Sequence, residues 1–342
     1  MALKYPLVHD LVIVVADLYL PEEGRAEALA LPGLERIARF GAKSALAAGW
    51  RPWLARRVGC ESLAAEPPAC VAARCCTADL TGAVWLATPV HCVAGLSSLH
   101  LDHRGLLKLP MATLAALAAD FQTVFRGADF VLEPLASGGF LLAGPPIGDA
   151  QASEPARAVG MGIAAALPRA PVLRRLGAEI EIWLHEHPVN RLRSERGEPP
   201  VTSLWMWGGG TLTRTPAAPA TDTGSATDGA YGRDPYLEGL WCARGARVQP
   251  LPESLEDLIR GRARSSVIVV ELAELLAADR AASLGDALAR LDAHWIAPAA
   301  DLLARGAWRS LALIANDRCL ILRPRDAMKR WRRARRGLAA LA

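Results

Sequence analysis

Three short apolar runs constrain this chain more than any other feature: residues 11–16 (LVIVVA), the VIVV within 265–272 (SSVIVVEL) and 311–315 (LALIA). They are rich in β-branched residues, do not alternate with polar ones, and are too short for typical helices. That pattern reads as strands buried on both faces, the texture of a parallel sheet. The first run leads into Asp17 and the third into Asn316-Asp317. Helical patterns alternate with them. Residues 32–40 place Leu34, Ile37 and Ala38 at helical spacing, with Gly41 as the stop. Residues 284–303 carry Leu288, Leu291, Trp295 and Leu302. Strand, helix, strand order predicts an α/β fold, a mostly parallel sheet flanked by helices.

Between residues 60 and 171 the texture changes. Residues 85–91 and 99–101 read as extended, and 111–124 set Leu114, Leu117, Phe121 and Val124 on one helical face. Residues 130–132 and 140–142, either side of Gly138-Gly139, predict a hairpin. This stretch reads as an inserted, strand-rich α+β subdomain. A helix is expected over 172–187, through Leu173, Leu176, Ile180 and Leu184, limited by Pro188. A strand over 201–207 should end at Gly208-Gly209-Gly210, and 211–233 reads as a flexible loop. The predicted organisation is therefore a core from 1–59 and 172–328, an insert at 60–171, and a basic tail at 329–342.

At 342 residues, 52% hydrophobic and 22% charged, the chain can bury a sizeable core. No apolar run approaches the ~20 residues of a membrane helix, and the first residues lack the order of a signal peptide. A cytoplasmic location without a membrane partner is expected. Seven cysteines, an odd number, agree with free thiols. Five lie between Cys60 and Cys92 without any C-x-x-C pair, a poor pattern for zinc. The net charge of +4 hides an asymmetry. Residues 323–336 hold eight basic residues and one acid, which leaves the rest of the chain at −3. The tail reads as a solvated terminal helix, so nucleic acid is not an expected partner.

Three segments together carry a family resemblance. Residues 12–42 (VIVVADLYLP through LPGLERIARFGA) look like the opening of the alkaline phosphatase superfamily. Residues 184–210 (LHEHPVNRLRSERGEPPVTSLWMWGGG) are similar to the segment preceding a Trp-x-Trp-Gly strand in archaeal-type phosphoglycerate mutases. Residues 290–318 look like the late helix and strand that end in the superfamily's Asp-His metal pair. With Trp85–His91 (WLATPVH) and the basic Trp331-Arg332-Arg333, the chain resembles the RpfE-type regulatory branch of the cofactor-independent phosphoglycerate mutase-like proteins. The resemblance implies an alkaline phosphatase-like fold.

Active members of that superfamily hold two divalent cations and a Ser or Thr nucleophile, and two cations need several anionic or imidazole ligands. Carried over residue by residue, Asp17 and Asp317 match metal positions. The partner His position is Arg318, which cannot ligate a metal and repels one. The strand at 265–272 leads into Glu271-Leu272-Ala273-Glu274, with no His before His294, and Ser44 has no nucleophile-like flank. The bland alternative for Asp17 and Asp317 is helix capping or pairing with Arg318. The resemblance thus implies a degraded metal site with no cofactor, in a non-catalytic binding or regulatory protein with a protein partner. The competing expectation is an active phosphoglycerate mutase or phosphohydrolase using Mn2+ or another divalent cation.

His185, His187, Asn190, Arg191, Arg193 and Arg196 fall within twelve positions. Arginine supplies planar bidentate donors for carboxylate or phosphate, so a small anionic ligand is a candidate here. The competing reading is a structural network, with the arginines paired to Glu186, Glu195 and Glu198 and with Trp205 and Trp207 filling core. His91, His100 and His103, near Cys92, form a second and looser group.

Overall fold

The computed structural model of the chain describes residues 10–19, 29–76, 78, 80–95, 98–148, 152–212, 228–260, 263, 265–328 and 335–341. They belong to two units, one within 1–64, 220–233 and 245–342, the other within 65–219 and 234–244. In chain order the first unit opens with β1 (Asp10–Val15), α1 (Pro32–Phe40), β2 (Ala42–Ala45) and α2 (Trp50–Arg57). The second holds α3 (Pro68–Ala72), β3 (Ala83–Ala94), β4 (Leu99–Leu106), α4 (Met111–Val124), β5 (Val131–Pro134), β6 (Phe140–Gly144), α5 (Pro171–Glu186), α6 (Pro188–Glu195) and β7 (Ser203–Thr211). The chain then gives β8 (Asp228–Tyr231) to the first unit and α7 (Pro235–Cys242) to the second. The first unit closes with α8 (Leu255–Arg260), β9 (Ser265–Val270), α9 (Leu272–Ala278), α10 (Leu284–Leu291), α11 (Ala297–Ala304), β10 (Ser310–Ala315) and β11 (Arg318–Leu322).

In the first unit the three apolar runs lie side by side. The sheet order is β2-β11-β10-β1-β9-β8, parallel from β10 to β8, with β11 and β2 added antiparallel. Every residue of β1 is buried, which is why its sequence does not alternate. Leu11, Ile13 and Val15 join Ile268, Val270, Leu311 and Leu313 in a core with apolar residues of α1 and α8 to α11. This is the predicted α/β layer of helices on a mostly parallel sheet.

Helix α1 begins with Pro32 at its first turn and stops at Gly41, as its sequence dictates. Its first N–H groups are capped from a distance. Gly33 N and Leu34 N donate to Asp292 Oδ2 and Oδ1 at 2.9 and 2.7 Å. Asp292 opens a π-helical turn, Asp292–Ile296, that joins α10 to α11, so the long helix expected at 284–303 is continuous but widened in its middle. A Cβ at Gly33 would lie 2.5 Å from Ala297 N, so only glycine lets α1 approach so closely.

The second unit is built on an antiparallel sheet, β4-β3-β6-β5, with β7 on the other side of β3. Residues 172–212 were expected in the α/β core but cluster here. The reason is pairing and burial. β7 runs against β3 from Ser203 to Thr211, and Leu173, Leu176, Ile180 and Leu184 of α5 share a core with Trp85, Phe121, Phe140 and Leu142. β7 continues through Gly208-Gly209-Gly210 instead of ending at Trp207.

Two further expectations change. Of the loop predicted at 211–233, residues 213–227 lie outside the described residues, and Asp228–Tyr231 is strand β8, held by parallel pairing to β9. Of the tail, residues 329–334 lie outside the described residues. Its end is no solvated helix: Gly337–Ala340 form a 3-10 turn, with Ala340 and Leu341 buried in the first unit's core. Among the described residues no helix is long and apolar enough to cross a membrane.

Candidate functional site

Parallel register brings the candidate metal residues to one sheet edge. Val15 is level with Val270 and Ala315, so Asp17, Glu271 and Asn316-Asp317 all follow the carboxyl ends of adjacent strands. Open α/β sheets bind ligands at such edges. Here Asp17 is 5% exposed, and its carboxylate caps α9. Leu272 N donates to Oδ1 at 2.7 Å and Ala273 N donates to Oδ2 at 2.8 Å. Asp317 is partly exposed, with Arg318 Nε 3.8 Å from its Oδ1. Both aspartates thus have the capping and pairing contacts of the bland alternative. Among the described residues no group of three or more His, Cys, Asp or Glu side chains is placed to hold a metal ion. Among the described residues the donor set thus falls short of what two cations need.

The neighbouring groups are structural. Asn316, 1% exposed, adopts a left-handed conformation with φ 47°, and its amide donates to Ala16 O. Its Oδ1 has no hydrogen-bond partner among the described residues. Leu46 N donates to Asp317 O at 2.6 Å, tying the segment before α2 to this turn. Ser44 lies in β2 opposite Cys319 of β11, one residue from the end of the strand. At the other end of β1, Asp10 is held by Arg57 and Arg309. Burial alone would raise its pKa, but hydrogen bonds from Arg309, Ser310 and Arg57 keep it below the usual carboxylate value.

The His/Asn/Arg cluster divides at the α5–α6 corner, because a helix turn sends neighbours in sequence to opposite sides. His187, Asn190 and Arg193 turn inward. His187 caps α6, its Nδ1 accepting from Val189 N at 3.1 Å. Asn190 is saturated: its amide donates to Leu184 O and Val201 O at 2.7 and 2.8 Å, and its Oδ1 accepts from Val201 N at 2.8 Å. Arg193 donates to Pro199 O at 2.8 Å and pairs with Glu198 at 3.0 Å. His185, Arg191 and Arg196 are exposed. The six residues do not converge on one anion pocket. Trp205 and Trp207 are buried and donate to Ser153 O and Thr88 Oγ1, each at 2.9 Å.

Sequence reading missed the partner of His187. Asp120 Oδ2, on α4, accepts the Trp183 indole N–H at 2.8 Å and lies 3.3 Å from His187 Nε2. Trp183 meets the His187 ring edge-on at 5.1 Å. Because Nδ1 accepts from Val189, the neutral ring carries its proton on Nε2, facing Asp120. Burial lowers the His187 pKa, and Asp120 opposes that shift. Nothing in the local sequence links Asp120 to residues some sixty positions later.

The remaining candidates disperse. His91 donates from Nδ1 to Pro200 O at 2.9 Å, whereas His100 bonds Ser98 Oγ at 3.0 Å. All seven cysteines are free thiols. Burial pushes Cys70 up to about 11, and burial with nearby Glu133 pushes Cys76 up to about 12, so neither is a ready thiolate.

No known family model matches the chain, and no curated protein matches it. Solved structures similar to it include two archaeal proteins. One is the cofactor-independent phosphoglycerate mutase from Thermoplasma acidophilum DSM 1728, at 15% identity and TM-score 0.37, covering 92% of this chain and 89% of that one. The other is the PH0037 protein from Pyrococcus horikoshii, at 14% identity and TM-score 0.46, covering 98% and 92%. At such scores and identities neither likeness assigns an activity to this chain.

Proposed function

We propose that this chain is a phosphoglycerate mutase-like protein of the alkaline phosphatase type, RpfE-like in kind, which binds or regulates rather than transfers phosphate. The observation that carries the reading is the use made of Asp17. Both oxygens of the one carboxylate that matches the first-strand metal ligand serve as caps for α9. A carboxylate already accepting two buried N–H groups loses charge-assisted bonds if it turns to a cation. Arg318 beside Asp317, in place of a histidine, adds a positive charge where a second cation would need a ligand.

The competing reading is an active metal-dependent phosphoglycerate mutase or phosphohydrolase. Its support is the position of Asp17, Glu271 and Asp317 just after the carboxyl ends of adjacent parallel strands. Assays on 2- and 3-phosphoglycerate and on p-nitrophenyl phosphate, with and without added Mn2+, separate the two. The expected result is no turnover above background, with Asp17→Ala lowering thermal stability alone. Mn2+-dependent turnover that disappears in Asp17→Ala while the fold persists would restore the enzyme.

A further inference from the structure

An open groove in the second unit lies between α4 and α5 and ends at the α5–α6 corner. It encloses about 540 Å³. One wall is Asp120, Val124 and Phe125; the other is Glu179, Ile182, Trp183 and Glu186, with His187 and Pro188 closing the end. Its floor is aromatic. Phe121 stacks on Phe125 at 4.5 Å, and Trp183 meets Phe125 edge-on at 5.8 Å.

Two properties of this groove are unusual for a surface that faces only water. Ile182 is 73% exposed and Val124 is 54% exposed, on opposite walls of one aromatic-floored trough. Exposed apolar side chains facing one another across a trough with a polar rim are suited to covering by a partner. The rim also has one sign. Asp120, Glu179 and Glu186 line it, no Lys or Arg does, and its single imidazole is already engaged by Val189 N and Asp120. Arg175, one turn back on α5, is turned to Glu179.

We propose that this groove docks a basic peptide segment of a partner protein, one that presents an apolar or aromatic anchor flanked by arginine or lysine. The anchor covers Val124, Phe125, Ile182 and Trp183, while the flanking cations meet Glu186, the second oxygen of Asp120 and, in exchange for the exposed Arg175, Glu179. An apolar anchor between cations matches both features of the trough, and neither an anion nor a neutral ligand does. The shape favours a segment of chain over a small molecule. A small-molecule site buries most of its ligand, and this groove is open along one side with Ile182 and Val124 exposed on its walls. Amphipathic segments laid in hydrophobic grooves are a recurrent recognition mode. The inference is independent of whether phosphate chemistry survives at the strand ends of the first unit.

The test is fluorescence anisotropy of the full chain with a labelled peptide of alternating arginine and leucine containing one tryptophan, in 50 mM salt. Saturable binding in the micromolar range is expected, weakened tenfold or more by Ile182→Asp and by the double change Glu179→Lys with Glu186→Lys. All three positions are exposed or at the rim, so these variants should fold; unchanged circular dichroism and melting temperature confirm that they do. A peptide with citrulline in place of arginine should not bind. Absence of saturable binding overturns the proposal. So does binding that salt weakens but Ile182→Asp and the double variant leave unchanged, because that is general attraction to an acidic body. A small organic cation such as spermidine displacing the peptide completely would also overturn it, in favour of a small-molecule site.

Discussion

At the scale of single residues, several of the most chemically suggestive side chains in this chain serve the backbone. Asp17 and Asp292 each place both oxygens on two N–H groups at the start of a helix distant in sequence. His187 is a histidine whose pKa is clearly displaced. Burial disfavours its imidazolium and holds its pKa below the ordinary value, while Asp120 works against that shift. A histidine with a depressed folded pKa leaves stability intact above about pH 6.5, where both states are neutral. As pH falls from there through the folded pKa, the unfolded chain takes up the proton first, and stability declines. Asp120→Asn removes the charge that raises the value. The His187 titration followed by NMR should then move to lower pH, and acid sensitivity should begin no later than in the parent. A move to higher pH would mean that Asp120 does not face the ring as described.

At the scale of elements, the α5–α6 corner shows what local sequence can and cannot reveal. Helix α1 and helix α4 have the bounds their sequences predict, because Pro at the start, Gly at the stop and apolar spacing are all local signals. The apolar strands β1, β9 and β10 were legible for the same reason: burial on both faces leaves no alternation to misread. Strand β8, DGAY, was not legible, since its extended form comes from pairing with β9 and not from composition. The anion cluster failed for a related reason. Twelve positions are close in sequence, but the buried and exposed faces of the helical corner separate His187, Asn190 and Arg193 from His185, Arg191 and Arg196. Asn190 is the peg of that corner, joining α5 to the segment before β7 through three hydrogen bonds. Asn190→Ala should cost about 2–4 kcal/mol in urea unfolding, since it leaves buried backbone groups unpaired. Asn190→Asp should be worse at neutral pH, because it turns an acceptor toward two carbonyl oxygens. A loss below about 0.5 kcal/mol for both would show that water replaces the side chain.

At the scale of the molecule, each unit carries its own hydrophobic core, the first around β1, β9 and β10, the second around β3, β6 and α5. The division was only half legible. The contrast in texture between residues 11–16 and 60–171 announced two kinds of sheet, but the return of residues 172–212 to the second unit depends on long-range pairing of β7 with β3. Separate cores imply separate protection against hydrogen exchange. Asp292→Ala removes the cap of α1 and should cost about 2–4 kcal/mol. Its amides should exchange faster in β1, β9 and β10 and keep parental rates in β3 and β7. Asn190→Ala should give the opposite pattern. Equal acceleration of both sheets by either variant would show one cooperative unit.

The glycine triplet of β7 has a consequence for how such chains diverge. A Cβ on Gly209 would lie 2.0 Å from Trp85 Cδ1, and one on Gly210 would lie 2.5 Å from Pro67 Cγ. The indole of β3 therefore lies where a side chain of β7 would stand. Positions 85 and 209 hold a single volume between them, and a lineage can spend it on either strand. A descendant with a small residue at 85 is released to carry a side chain at 209. Mutation at 209 alone, with Trp85 kept, has no room. The two sites should change together over evolution whatever becomes of the metal ligands, so the most durable mark of this sheet is an absence of atoms.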